Sequence, residues 1–232
     1  MQAMNPDSIF YQAAIWIIPL TIAIVLHEVS HGWVANAFGD PTAKRLGRLS
    51  VNPVTHVDPV GTILLPLSLA IAQLPVFGWA KPVPVVASGL RNPRVHMMIV
   101  ALAGPGMNLV LAVLGALAIA LFVSQSPDWP PTGASKFLSD NLGNFVAINV
   151  FLAIFNLLPI PPFDGGHVVE GLLPRPLAAR YAQVGRYGFL LLIFLLVILP
   201  MIAPNANVVG RLIGPPAWAL ISLLLRSAGL SV

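Results

Sequence analysis

The sequence predicts an all-α polytopic membrane protein, and three observations carry that prediction. Of its 232 residues, 57% are hydrophobic and 9% charged, at a mean hydropathy of +0.85, whereas soluble domains carry about 25% charged residues. Apolar runs of membrane-crossing length recur, the first of them uncharged from Ile9 to Leu26. That run leads into His27-Glu28-Val29-Ser30-His31, a group of ionisable residues with no place in ordinary membrane packing. The expected architecture is about five full transmembrane helices plus a re-entrant or β-hairpin segment, or six helices if residues 60–75 also span. No repeat or separate soluble unit interrupts it. Residues 1–232 therefore read as a single integral-membrane domain, with a core of about 9–174 and additional C-terminal helices of about 177–228.

Composition also excludes function classes. The net charge is only +4, and the twelve Lys and Arg are scattered beside apolar segments, so they read as orientation signals and not as a nucleic-acid surface. The chain has no cysteine, which removes disulfides, thiolate metal sites and a cysteine nucleophile. Twenty-three prolines imply broken helices, tolerated in lipid only where protein or a water-filled cavity surrounds the freed backbone. Ala35-Asn36-Ala37 resembles a signal cleavage site, but the preceding segment lacks a basic start and is too long for a signal sequence.

The first span runs from about Ser8 to Phe38 and stops at Gly39-Asp40-Pro41, a helix-stop signal. Lys44, Arg45 and Arg48 follow it and favour the cytoplasmic side; the stretch from Arg45 to Val51 alternates enough to form a strand. The segment from Val60 to Pro75 is apolar, contains Pro66 and is too short for a comfortable crossing, so a re-entrant element is preferred. Next, Phe77-Gly78-Trp79-Ala80-Lys81-Pro82-Val83-Pro84-Val85-Val86 can form only an edge strand. A second span covers about Arg94 to Ser124 and holds Ala103-Gly104-Pro105-Gly106-Met107-Asn108, where glycine and proline kink the helix and admit another backbone. The loop from Gln125 to Asp140 suits the outer side. A third span, about Phe137 to Leu158, ends at Pro159-Ile160-Pro161-Pro162-Phe163-Asp164-Gly165-Gly166, before a short helix over Gly166 to Leu173. Arg175, Arg180 and Arg186 return to the cytoplasmic side, and spans of about Ala182 to Ala203 and Val208 to Leu225 complete the chain.

With this topology the first and third spans both run from outside to inside. His27 and His31 lie roughly 10 to 16 Å below the cytoplasmic end of the first, at 1.5 Å per residue, and Asp164 follows the last turn of the third. A sixth crossing at Val60 would send Asp164 to the opposite face. Charge distribution and ligand geometry thus favour one arrangement.

In a helix, His27 and His31 stand one turn apart on one face and can share a metal ion, with Glu28 beside them. Zinc in a hydrolytic site takes three protein ligands and lowers the pKa of water to about 7, and an adjacent carboxylate accepts the proton. His27, His31 and Asp164 supply that set, with one Zn2+ per chain. The structural alternatives are hydrogen-bonded packing histidines and an Asp164 that caps the next helix.

The pentapeptide, the Ala103–Asn108 segment and Asn156-Leu157-Leu158-Pro159-Ile160-Pro161-Pro162-Phe163-Asp164-Gly165-Gly166, in this order, resemble the site-2 protease family of intramembrane zinc metalloproteases, in a minimal form without PDZ or CBS domains. The resemblance implies zinc on His27, His31 and Asp164, Glu28 as catalytic base, and hydrolysis of a peptide bond in a transmembrane protein substrate. It places the chain in a lipid bilayer, as a multi-pass protein of a prokaryotic cell membrane with its site toward the cytoplasm. It also suggests that Asn156 stabilises the oxyanion, a role that competes with capping the third span.

Two rival readings remain at this level. A metalloprotease of another type would take its third ligand from Glu170, the only other glutamate. A transporter or non-catalytic metal-binding membrane protein would need no general base. Of the other histidines, His56 is placed either near the metal or substrate or at the interface, His167 beside a ligand or at a helix start, and His96 at the membrane boundary. Arg45–Val51 or Val83–Val86 is expected to hold an unwound substrate by strand addition.

Overall fold

The computed structural model describes Pro6 and residues 8–73, 78–125, 130–203 and 208–230. Pro75 and Phe77, expected at the ends of the re-entrant and proline-rich stretches, lie outside the described residues, as do residues 126–129 of the outer loop. Among the described residues, three helices are long and apolar enough to cross a membrane: α1 (Ile9–Ala37), α4 (Pro93–Gln125) and α5 (Gly133–Asn156). They pack on one another in all three pairings.

Helix α1 starts where the Ser8 side chain accepts the Tyr11 N–H. Most of its buried residues fall on a ridge with a step of four, from Tyr11 through Ile15, Pro19, Ala23, His27 and His31 to Ala35, and Val25, Val29, Ser30 and Gly32 flank it. This i±4 row is the surface that helix packing uses, and it carries both histidines into the bundle. Pro19 has no N–H, so the Ile15 carbonyl loses its helical donor; the Asn144 side-chain amide of α5 donates to it at 2.8 Å. Helix α4 answers with small residues, Ala101, Gly104, Ala112 and Ala116 among those buried. A Cβ on Gly115 would lie 2.9 Å from Val146 of α5, the close approach that small residues permit between membrane helices. The last helix, α10 (Val208–Ser227), inserts Ile213 and Ala217 into the cluster of Ala112, Ala116, Val146 and Val150.

Between α1 and α4 the chain forms α2 (Thr42–Arg45), a 3-10 turn over Pro53–His56, and α3 (Pro59–Ile71), which opens in a wide π-type turn over Pro59–Leu64. After α5 come α6 (Asp164–Leu172), α7 (Arg175–Gly185), α8 (Gly188–Ile193), a second wide stretch over Phe194–Ile198, and α9 (Leu199–Ile202). Each wide stretch precedes a proline, Pro66 or Pro200, whose missing N–H breaks the i→i−4 ladder. The expected span over 182–203 is therefore a chain of short segments.

No strand forms among the described residues, which corrects the expected hairpin. Residues 82 and 84 are prolines and offer no N–H, and the neighbouring donors go to side chains. Val83 N–H donates to the Glu28 carboxylate at 2.9 Å, and Val86 N–H to Asp40 at 2.6 Å. Around Arg45 the chain is helical, then turns at Gly47 with φ +65. The stretch leaving α3 returns beside its start: Trp79 N–H donates to the Gly61 carbonyl at 3.1 Å and Lys81 N–H to that of His56 at 2.8 Å. Arg48 adds guanidinium bonds to the carbonyls of Thr55 and Lys81.

Asp40 is buried just past the end of α1. Burial pushes its carboxyl up, but the Thr42 hydroxyl and N–H, the Val86 N–H and the charge of Arg45 outweigh it and hold the group below its ordinary range. Arg91 donates to the Ala37 carbonyl and Arg94 to those of Gly171 and Leu173. Cations thus close the C-terminal ends of α1 and α6, where the helix dipole favours them.

Candidate metal centre

His27 and His31 sit one turn apart on the buried ridge of α1, with their Nε2 atoms 3.1 Å apart. Asp164 Oδ2 lies 3.2 Å from the first and 3.5 Å from the second. The other ring nitrogens decide the protonation pattern. His27 Nδ1 donates to Asn108 Oδ1 at 2.6 Å, and His31 Nδ1 to the Val100 carbonyl at 2.7 Å. Both partners are acceptors, so each Nδ1 carries the hydrogen and each Nε2 presents a lone pair.

Three lone-pair atoms therefore converge within 3.5 Å, and Asp164 Oδ2 has no hydrogen-bond donor. One shared proton can bridge a single gap in such a triangle; a cation bridges all three. Zinc bonds of about 2.0–2.1 Å to nitrogen and oxygen give tetrahedral edges of about 3.3 Å, close to the three separations seen. The donor set therefore fits zinc, and these residues could hold a metal ion.

Asp164 is delivered by the start of α6. The cap position belongs to Phe163, which makes no side-chain cap bond, so Asp164 is the first helical residue and not the cap. Gly165 makes this possible, since a Cβ there would lie 2.3 Å from the Leu157 carbonyl oxygen and 2.4 Å from that of Leu158. Glu28, whose carboxylate accepts the Val83 N–H, lines a neighbouring cavity of about 570 Å³ together with His27 and Asn156. Asn156 gives one amide hydrogen to the Leu152 carbonyl of its own helix at 3.0 Å.

Other sequence candidates lie elsewhere. His56 is buried with Nε2 bonded to the Ser50 carbonyl at 2.7 Å, and it is outside the metal group. His167 pairs at 3.6 Å with Glu170 on the open face of α6, which leaves Glu170 no part in the triangle. His96 stacks on Phe38.

Three contributors escape a reading of the sequence. Asn108 and Asn149 are fully buried; Asn149 Oδ1 accepts the Asn108 amide at 2.8 Å, and Asn108 in turn accepts His27. Gly104 faces the imidazoles directly, where a Cβ would lie 2.4 Å from His31 Nε2 and 2.6 Å from His27 Nε2. Asn108 and Gly104 belong to a recognised segment, but nothing local assigns their partners.

The model of peptidase family M50 matches residues 132–196. Several relatives are named as putative zinc metalloproteases. YwhC of Bacillus subtilis is 38% identical over 184 residues, covering 78% of this chain and 79% of its own. Rip2 of Mycolicibacterium smegmatis is 30% identical over 76% of this chain and 64% of its own, and Rip2 of Mycobacterium tuberculosis 29% identical over 90% and 75%. No solved structure matches significantly. The chain belongs to peptidase family M50, the site-2 protease family that its motifs resemble.

Proposed function

We propose that this chain is a zinc endopeptidase that cuts transmembrane protein substrates inside the bilayer, with His27, His31 and Asp164 as metal ligands and Glu28 as general base. The observation that carries the reading is the triangle of lone-pair atoms, 3.1 to 3.5 Å on a side, with a carboxylate in the adjoining cavity. Relatives named as zinc metalloproteases support the same metal and reaction.

Bound there, zinc would supply Lewis acidity toward the scissile carbonyl and toward water. Glu28 takes the proton from the attacking water and returns it to the leaving amine nitrogen. Val83 N–H, bonded to Glu28, fixes the carboxylate's direction. Asn108 keeps the ring of His27 turned toward the metal position. Asn156 has a second amide hydrogen beyond the one given to Leu152, and that hydrogen is the proposed donor to the oxyanion.

A bilayer setting is supported by the three apolar helices and by α3, whose Ile63, Leu64, Leu67 and Ile71 are more than half exposed. Helix α3 spans about 20 Å at 1.5 Å per residue, too little to cross, and its two flanks are hydrogen-bonded together. Both features support re-entry. Basic residues gathered where α1 ends and α4 begins support a cytoplasmic site.

Purified protein is expected to hold about one zinc per chain, and Asp164→Asn to lose it together with cleavage of a transmembrane substrate. Cleavage that persists in a metal-free preparation would overturn the reading. Replacing Asn108 with Ala should weaken zinc binding about 10- to 100-fold, the usual cost of removing a partner that orients a ligand. Chelator competition measures it, and unchanged affinity would show that His27 needs no such support.

A further inference from the structure

We infer that the cavity beside Glu28 is a subsite for one large apolar side chain of the substrate, such as Leu, Ile, Met or Phe, next to the bond that is cut. This inference rests on the peptidase reading above and names what that site selects. His27 and Glu28 line the cavity, whereas His31 and Asp164 do not. A substrate therefore reaches the metal position from the Glu28 side, through this space.

Apart from those two groups and Asn156, the walls are apolar. Ile24 comes from α1, Leu152 and Phe155 from α5, Phe163 from the loop before α6, Leu192 from α8 and Trp79 from the extended stretch. Among the described residues, no lysine or arginine lines the space. An acidic substrate residue would meet Glu28 without a counter-charge, and a lysine would pair with the base and disable it. A small residue would leave the apolar walls without contacts.

The Trp79 wall is rigid. A Cβ on Gly61 would lie 2.3–2.4 Å from the indole ring, and one on Gly78 2.3 Å from the Gly61 carbonyl oxygen. The ring is seated against bare backbone and cannot retreat to admit a larger group on that side. Size is therefore read against a fixed surface.

The test uses transmembrane peptides of Ala and Ser in which a single Leu is walked from position to position, with zinc-loaded protein in lipid nanodiscs. The cut is expected to move in step with the Leu, and Leu should exceed Ala at that position by at least about tenfold in kcat/KM. Leu152→Trp, which narrows the cavity, should weaken the preference for Leu over Ala, and Trp79→Ala should extend it to bulkier residues; zinc content reports whether each variant is folded. Binding of the same peptides to zinc-loaded Glu28→Gln separates the two readings. A Leu preference in binding upholds the subsite even if the base has been misassigned. A cut fixed at one depth whatever the Leu position, or equal affinity for peptides with and without the Leu, would overturn it.

Discussion

Glu28→Gln is expected to retain about one zinc per chain and to lose turnover by a factor of about 10² to 10⁴, the range general acid–base catalysis contributes. The substitution is informative because of what it leaves alone. Glutamine keeps the side-chain length and a carbonyl oxygen, so the bond from Val83 N–H, 2.9 Å in the native protein, survives. The metal triangle is untouched, because Glu28 is not one of its three members. Only the ability to take a proton is removed. If Glu28 served merely to anchor the stretch around Val83, the variant would cut substrate at near the native rate. A membrane carrier that binds metal without hydrolysis would likewise be indifferent to it. Zinc by elemental analysis and single-turnover cleavage on the same preparation separate the cases. Full activity with zinc bound would remove Glu28 from the mechanism.

How far the sequence reveals the site depends on which contacts are local. His27 and His31 are one helical turn apart, and helical geometry alone brings them together. Asp164, 133 residues beyond His31, was reachable only through the topology, because the charge pattern and the stops at Gly39 and Pro159 order the spans. The ends of α1 and α5 also follow from such stops, and that of α4 from the polar loop after it. Burial within the spans does not. Lipid and protein interior are both apolar, so the ridge from Tyr11 to Ala35 leaves no alternation in hydropathy. The interior is marked instead by small and polar residues such as Gly104, Asn108 and Asn149, whose partners are remote: Asn108 lies 81 residues from His27. The expected strand at Val83–Val86 failed for a related reason. Its donors are claimed by Glu28 and Asp40, 55 and 46 residues away, and strand propensity carries no information about such acceptors.

Gly104→Ala is expected to separate stability from function in opposite directions. In a helix interior alanine is favoured over glycine by about 1 kcal/mol, so on propensity alone the variant should be the more stable protein. Its added methyl, however, would lie 2.4 Å from His31 Nε2 and 2.5 Å from His27 Cε1, distances no Cβ tolerates. Neither ring can yield cheaply, because each is held from behind, His27 by Asn108 and His31 by the Val100 carbonyl. The rings must turn or α4 must back away, and either movement breaks the spacing that suits a metal. Zinc affinity should fall by more than the 10- to 100-fold expected for loss of an orienting partner, and cleavage with it, while helix content is kept. Gly106, two residues on, is the internal control: a Cβ there meets nothing within 4 Å, so Gly106→Ala should retain zinc and activity. Equal zinc affinity in the two variants would mean that α4 does not approach the imidazoles as closely as these distances require, and the metal assignment would lose its geometric basis.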